Sequence, residues 1–275
     1  MKQKWKYFLF SIIPVAIEMV SVRLIGLVIS SLRSRGVLPG TMDSTNLNIW
    51  IHVIVLGVLA ILFGLIWFRR SVVFPPKNAE TDSSLPKRTP RKIISIFVLA
   101  FSLIYLSDVV MIVLYRIMPN QFVSNNSNLN EALSGIVWLT MLYAVILGPV
   151  IEEIIFRGLV FGYARKVFPV WLALIFQAAL FGIYHWNLTQ GIYAFVIGLF
   201  LGYLCLKGPG IRYSIPCHMT INFTSNVLLT YINNGLGAIS PLFYEVFLYV
   251  VAFGGTFLGV WLLYSATKVK KERSS

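Results

Sequence analysis

Two adjacent carboxylates and an arginine lie within an apolar segment of the chain, residues 148–158. Glu153 and Arg157 are four residues apart, so in a helix they share one face, with the acid preceding the base as a favourable ion pair requires. Glu152 points about 100° away, because an α-helix has roughly 3.6 residues per turn. We therefore expect Arg157 to neutralise Glu153 and to leave Glu152 without a local partner. Pro149 lacks the N–H of the helix ladder and is expected to kink the helix just ahead of the acids.

Two of the three histidines also lie in apolar sequence, each with a notable neighbour four residues away. Phe181 and His185 share one helix face, and so do His218 and Asn222. Ionisable groups are costly inside a bilayer, so they are rare there and usually functional. A helix that descends about 21 Å from Glu152 and a second that returns about 25 Å bring His185 level with this acid. We expect all four polar groups, including His218 and Asn222, to converge on one pocket.

A pocket of this composition can hydrolyse a bond. A carboxylate shielded from bulk water suits general base catalysis, so Glu152 can activate a water molecule while His185 orients or shares the proton. His218 and Asn222 can donate hydrogen bonds to a developing oxyanion. Alternatively, Glu152, His185 and His218 form a zinc site with an open position for water. The H-E-x-x-H spacing is absent, and the residues alone leave both chemistries open.

Composition assigns these groups to a membrane protein. The 275 residues are 57% hydrophobic and 12% charged, with a mean hydropathy of +0.79, whereas a soluble domain carries about twice this charged fraction. Apolar runs of about 20 residues are long enough to cross a bilayer as helices. We predict an all-α fold, a polytopic membrane bundle of about eight transmembrane helices in the cell membrane. The net charge of +13 is concentrated at the ends of apolar runs, which predicts contact with membrane lipid and no nucleic-acid partner.

The apolar runs define the predicted organisation. The polar, proline-rich residues 69–92 form a basic cytoplasmic linker that separates a two-span unit, 1–92, from a six-span unit, 93–275. Residues 119–133 contain no Lys or Arg and are predicted to be external, while both basic termini are predicted to be cytoplasmic. The predicted spans are about 5–29, 47–68, 93–117, 134–166, 168–186, 191–206, 217–232 and 241–264.

Two of these spans have polar or irregular features of their own. Glu18 and Arg23 lie five residues apart in the first span, a spacing that suits either a loose pair or two separate interhelical partners. Residues 207–217 are rich in glycine and proline and are predicted to be non-helical. His218 reaches the other groups only if this segment re-enters the membrane in extended form, which is tolerated where backbone lines an enclosed cavity.

The three motifs together resemble those of a known family. Glu152-Glu153-x-x-x-Arg157, Phe181-x-x-x-His185 and His218-x-x-x-Asn222 are similar, in order and approximate spacing, to the motifs of the CPBP family. These are the CAAX-protease and bacteriocin-processing membrane proteins, also called abortive-infection-like, and the resemblance covers about residues 134–233.

The resemblance implies an eight-span intramembrane endopeptidase that cleaves a membrane-associated protein or peptide, which in eukaryotic and archaeal members carries a prenylated CAAX tail. It implies that Glu152 activates water with His185 and that His218 holds the oxyanion with Asn222, supported by Glu153, Arg157 and Phe181. It also implies either a metalloprotease with one divalent metal, zinc, or a metal-free glutamate mechanism. Bacterial members add bacteriocin maturation and self-immunity as roles.

Two other classes of function are consistent with the sequence. A non-catalytic membrane immunity or scaffold protein would use the same polar residues to hold its helices together. A transporter or proton-coupled carrier would use the intramembrane charges of Glu18, Arg23 and Asp108 as a relay.

Overall fold

The computed structural model describes residues 2–37, 44–73, 90–119, 141–208 and 210–272. Within these ranges the chain consists of helices joined by short turns and contains no strand, which confirms the all-α class. Most of the predicted linker 69–92 and loop 119–133, and the predicted start of the fourth span at Ser134, lie outside the described residues. The described helices are α1 (Lys2–Ser34), α2 (Ser44–Val73), α3 (Pro90–Ile117), α4 (142–164), α5 (Val170–Tyr184), α6 (Leu188–Lys207), α7 (211–239) and α8 (241–272).

Several of these helices have the length and composition of membrane spans. Four stretches, Gln3–Ser34, Pro90–Ile117, Leu188–Lys207 and Pro241–Ala266, are apolar and long enough to cross a bilayer. Large apolar side chains are exposed along them, as expected where lipid covers the outer faces. The chain is a multi-pass membrane protein, and the cytoplasmic position of its termini stays a prediction.

Helix α4, which carries the paired acids, is irregular. It comprises a π-helical segment Leu142–Leu147, an α-helical segment Gly148–Glu152, a second π-helical segment Glu153–Val160 and a final turn Phe161–Ala164. Pro149 stands in the first turn of the α-helical segment, where a missing N–H is tolerated. The wide turns of the π-helical segment Leu142–Leu147 lie just ahead of Pro149, while the kink expected at this proline stays a prediction. Such wide turns are rare and frequently occur at functional sites.

Helices α5 and α6 form a hairpin that packs with its backbones in close approach. A Cβ atom on Gly182 would lie 2.5 Å from the carbonyl oxygen of Gly191, and one on Gly191 would lie 2.8 Å from the carbonyl oxygen of Gly182. Small residues permit this kind of contact between membrane helices. The contact fixes the end of α5, where His185 follows directly, against the beginning of α6.

The prediction that residues 207–217 are extended is wrong. Helix α7 begins at Ile211, directly after a turn in which Gly210 has φ 72°, and Pro216 lies inside the helix. His218 is seven residues above the start of α7, about 10 Å at 1.5 Å per residue, which brings it to the level of the site without a re-entrant strand.

The prediction also treated α4 as a regular α-helix. The π-helical segment Glu153–Val160 puts more residues into each turn, so Glu152 lies closer to the α4–α5 turn than a regular helix would place it.

The helices pack around two principal cores. On one side, Val15 of α1 and Phe63 of α2 are buried against Ile151 and Ile155 of α4. On the other side, α3 packs against α6, α7 and α8 through a cluster that includes Leu99, Leu103, Tyr213, Leu201 and Leu263. The division at residue 92 stays a prediction.

Candidate active site

Glu153 is the fixed acid of the pair. Its Oε1 atom lies 2.9 Å from Nη1 of Arg157, and both side chains are fully buried, which confirms the predicted ion pair. The same oxygen lies 2.9 Å from Nδ1 of His218. A carboxylate paired with arginine can only accept, so the Nδ1 atom carries a hydrogen and its N–H donates a hydrogen bond to Glu153. Glu153 therefore sets the orientation of the His218 ring and directs its Nε2 atom away from itself.

Arg157 ties three helices together at this point. Its guanidinium group lies 4.4 Å from the centre of the Phe181 ring, and Nη2 donates a long hydrogen bond of 3.4 Å to the carbonyl oxygen of Gly198. Gln177 donates to the same carbonyl at 2.9 Å. A buried arginine is tolerated when it is paired with an acid and its planar group is stacked and hydrogen-bonded. The arginine thereby holds α4 against α5 and α6.

Glu152 is the available acid of the pair. Its Oε2 atom lies 3.6 Å from Nε2 of His218, and 14% of its side chain is exposed, against 0% for Glu153. Among the residues that the structure describes, Glu152 has no other ion-pair partner within 4.0 Å. The predicted convergence of Glu152 and His218 is confirmed. The two adjacent acids thus have different surroundings, since Glu153 is bonded at 2.9 Å to both Arg157 and His218, whereas Glu152 makes only the 3.6 Å contact with His218 among the ion pairs of the described residues.

His185 is placed at the end of α5 with one ring nitrogen already engaged. Its Nδ1 atom lies 2.7 Å from the carbonyl oxygen of Phe181. Because a carbonyl only accepts, Nδ1 must donate, and the Nε2 atom of the neutral ring is left as an acceptor. The Phe181 ring packs edge-on against both imidazoles, 4.8 Å from His185 and 5.8 Å from His218. Within the described part of the chain His185 and Glu152 form no ion pair, so their direct cooperation stays a prediction.

Asn222 bonds to the wide turn of α4, one helical turn after His218 on α7. Its Nδ2 atom donates a 2.7 Å hydrogen bond to the carbonyl oxygen of Ala144 in the π-helical segment Leu142–Leu147. An amide carries two N–H donors, so one of them remains for another acceptor. The predicted oxyanion role of Asn222 therefore stays a prediction that the remaining donor permits.

The side chains as arranged do not fit a zinc ion. A structural or catalytic zinc site needs at least three protein ligands at about 2.0–2.3 Å from one point. No group of three or more His, Cys, Asp or Glu side chains in the described ranges is placed to hold a metal ion.

Helix α1 contributes contacts that the sequence analysis did not assign to the site. Glu18 accepts a 2.7 Å hydrogen bond from the hydroxyl of Tyr184, and the guanidinium group of Arg23 lies 4.5 Å from the centre of the Trp186 ring. Of the two arrangements expected for these charges, the structure shows two separate interhelical partners. An acid and a base in an apolar helix are the sequence feature that indicates a functional role for α1. Their partners lie more than 160 residues away in sequence, so spacing along the chain does not identify them.

The part of the chain that carries the candidate site matches a known protein family. Residues 134–224, about a third of the chain, match the family described as Rce1-like, type II CAAX prenyl endopeptidase. The matched range contains all three motifs, and it confirms the resemblance to the CPBP family over these residues. Neither a curated protein nor a solved structure matches the chain. The match supports a membrane peptidase of the CAAX-protease type.

Proposed function

We propose that the chain is an intramembrane endopeptidase that hydrolyses a peptide bond of a membrane-associated substrate with a water molecule activated by Glu152. The observation that carries the proposal is the division between the two adjacent acids. Glu153 is fully buried and bonded at 2.9 Å to both Arg157 and His218, whereas Glu152 keeps an exposed edge opposite Nε2 of His218. Packing alone does not require a second acid that lacks a strong partner.

In the proposed reaction, Glu152 removes a proton from a bound water molecule, and the water oxygen attacks the carbonyl carbon of the scissile bond. The unprotonated Nε2 atom of His185 accepts a hydrogen bond from the same water and orients it. When both ring nitrogens of His218 carry protons, Nε2–H donates to the oxyanion that forms, and the remaining N–H of Asn222 adds a second donor. The intermediate then collapses, the C–N bond breaks, and Glu152 returns its proton to the departing amine.

His218 is the residue through which the fixed acid acts on the reaction. Glu153 accepts a hydrogen bond from Nδ1–H of His218 and holds the ring in one orientation, as an orienting carboxylate does in other hydrolases. Arg157 in turn holds Glu153. The proposed mechanism is of the glutamate type and uses only side chains of this protein.

The proposed substrate is a lipidated peptide, because the matching family is described as a type II CAAX prenyl endopeptidase. A prenyl chain dissolves in the bilayer and would deliver the adjacent peptide bond to a site among membrane helices. Bacteriocin maturation or self-immunity, which the CPBP resemblance implies, would use the same reaction on a peptide substrate.

A comparison of two peptides tests this proposal. The purified protein in detergent is incubated with a farnesylated peptide that ends in a CAAX sequence and with the same peptide lacking the farnesyl group, and the products are identified by mass spectrometry. We expect cleavage within the CAAX segment of the lipidated peptide and at least tenfold slower cleavage of the other. Absence of cleavage in both, from protein shown to be folded, would favour the immunity or scaffold alternative.

A further inference from the structure

Helix α1 contacts the residues on both sides of His185. Glu18 accepts a 2.7 Å hydrogen bond from Tyr184, and Arg23 lies over the ring of Trp186 at 4.5 Å. Tyr184 immediately precedes His185 and Trp186 immediately follows it. Glu18 and Arg23 of the first span therefore both contact the short turn that carries one of the candidate catalytic imidazoles.

The backbone of this turn needs such support. Trp186 has φ 55°, in the left-handed region, where a bulky side chain is strained and where a helix end normally carries glycine. The Trp186 side chain is 58% exposed, so little packing around it compensates for the strain. Strained residues persist when their surroundings hold them, and they are concentrated at functional sites. The guanidinium group of Arg23 is a direct contact that can hold this one.

Glu18 is directed towards the site and not towards lipid. Its exposure is 1%, and its Oε2 atom has no hydrogen-bond partner among the described residues. Its Oε1 atom accepts from the hydroxyl of Tyr184, the residue that precedes His185, which places the carboxylate beside the turn that carries this imidazole. A buried carboxylate with an open oxygen is a poor choice for packing alone, because buried polar atoms are normally satisfied.

We propose that α1 is part of the active site, with Glu18 and Arg23 as positioning residues that fix the turn carrying His185. The inference rests on the proposed function for its catalytic consequence, since His185 orients the water in that mechanism. The positional part stands on the contacts alone. Helix α1 is then required for the correct placement of the His185 imidazole, although His185 lies more than 150 residues after the end of α1 in sequence.

The positional part is tested by NMR of the imidazoles in the detergent-solubilised full chain. The protein contains three histidines, so ring-labelled histidine gives three sets of signals, which His52→Gln, His185→Gln and His218→Gln assign. In the wild-type protein we expect a single set for His185 with the proton on Nδ1, the atom that donates to Phe181. The double variant Arg23→Leu/Tyr184→Phe is expected to broaden or split this set and leave that of His218 in place.

The catalytic part is tested with Tyr184→Phe, which removes one hydroxyl group. We expect kcat for the farnesylated peptide to fall by about tenfold or more at unchanged KM, since small displacements of a catalytic group are costly. Glu18→Gln, which keeps an acceptor for Tyr184, is expected to lose less activity than Glu18→Leu. Tyr231→Phe and Ser21→Ala are matched controls, since Tyr231 is 78% exposed and, among the described residues, the Ser21 hydroxyl bonds only to the carbonyl of Ile17 in its own helix.

The outcomes are distinguishable. If the variants lower thermal stability but leave the His185 signals and kcat at wild-type values, α1 merely packs against α5 and the inference is overturned. If the wild-type protein cleaves neither peptide, the proposed function fails, while the NMR result still decides whether α1 positions the turn. Unchanged His185 signals in the double variant would overturn the inference even if activity were reduced.

Discussion

Replacing Arg157 by methionine tests how the fixed acid is held. The substitution keeps much of the side-chain volume but removes the 2.9 Å ion pair with Glu153, the hydrogen bond to Gly198 and the stacking on Phe181. Because both partners are fully buried, the change leaves an uncompensated carboxylate in the interior. Breaking a buried pair in this way costs about 3–5 kcal/mol, much more than an exposed pair would.

The double variant Glu153→Gln/Arg157→Met distinguishes the ion pair from the packing of the arginine. Removing both charges eliminates the uncompensated carboxylate, so we expect the double variant to be more stable than Arg157→Met alone, with a coupling of about 2 kcal/mol or more. The measurement is unfolding in mixed detergent micelles, with the four proteins of the cycle at one protein concentration. Arg165→Met, at an exposed position near the end of the same helix, is a control expected to stay within about 0.5 kcal/mol of the wild-type protein. Additive effects of the two substitutions, within about 0.5 kcal/mol, would contradict the reasoning.

Three further results are expected. Gly182→Ala should lower the free energy of unfolding by about 1–3 kcal/mol, because its Cβ atom would lie 2.5 Å from the carbonyl oxygen of Gly191. Gly162→Ala is the control, since its Cβ atom would meet nothing within 4 Å and should not destabilise the protein. Equal stabilities of the two variants would count against the close α5–α6 contact. Asn222→Leu should destabilise by about 1–3 kcal/mol and lower kcat, because the Ala144 carbonyl loses its 2.7 Å donor; a change in KM alone would point to substrate binding instead. Dialysis against a strong chelator should leave peptidase activity unchanged with less than one metal per chain by elemental analysis, and activity restored specifically by added zinc would refute the glutamate-type proposal.

The local parts of the site could be predicted from the sequence. The Glu153–Arg157 pair follows from a spacing of four residues, and the structure shows it at 2.9 Å. The helix positions follow from apolar runs of membrane-spanning length. These features depend on residues that are near each other in the chain, so periodicity alone is sufficient to place them.

The tertiary parts could not be predicted in the same way. The hydrogen bond between Glu153 and His218 joins residues that are 65 apart in sequence. Sequence spacing did not show that Glu153, and not Glu152, would accept the hydrogen bond from Nδ1 of His218. Glycine and proline suggested an extended segment before His218, but the turn at Gly210 takes up the irregularity and the helix starts at once. The contact from Glu18 to Tyr184 spans 166 residues and depends on how α1 packs, which no local pattern specifies.

The central claim is that Glu152 activates the water, and Glu152→Gln tests it most directly. The amide keeps the size of the side chain but cannot take a proton, so turnover of the farnesylated peptide should fall by about 10²–10⁴-fold while circular dichroism and thermal stability stay close to wild type. The control is Asp108→Asn, which changes an acid of α3 that the mechanism does not use. This variant should cleave the farnesylated peptide at the wild-type rate. Turnover by Glu152→Gln within a few-fold of the wild-type value would contradict the account.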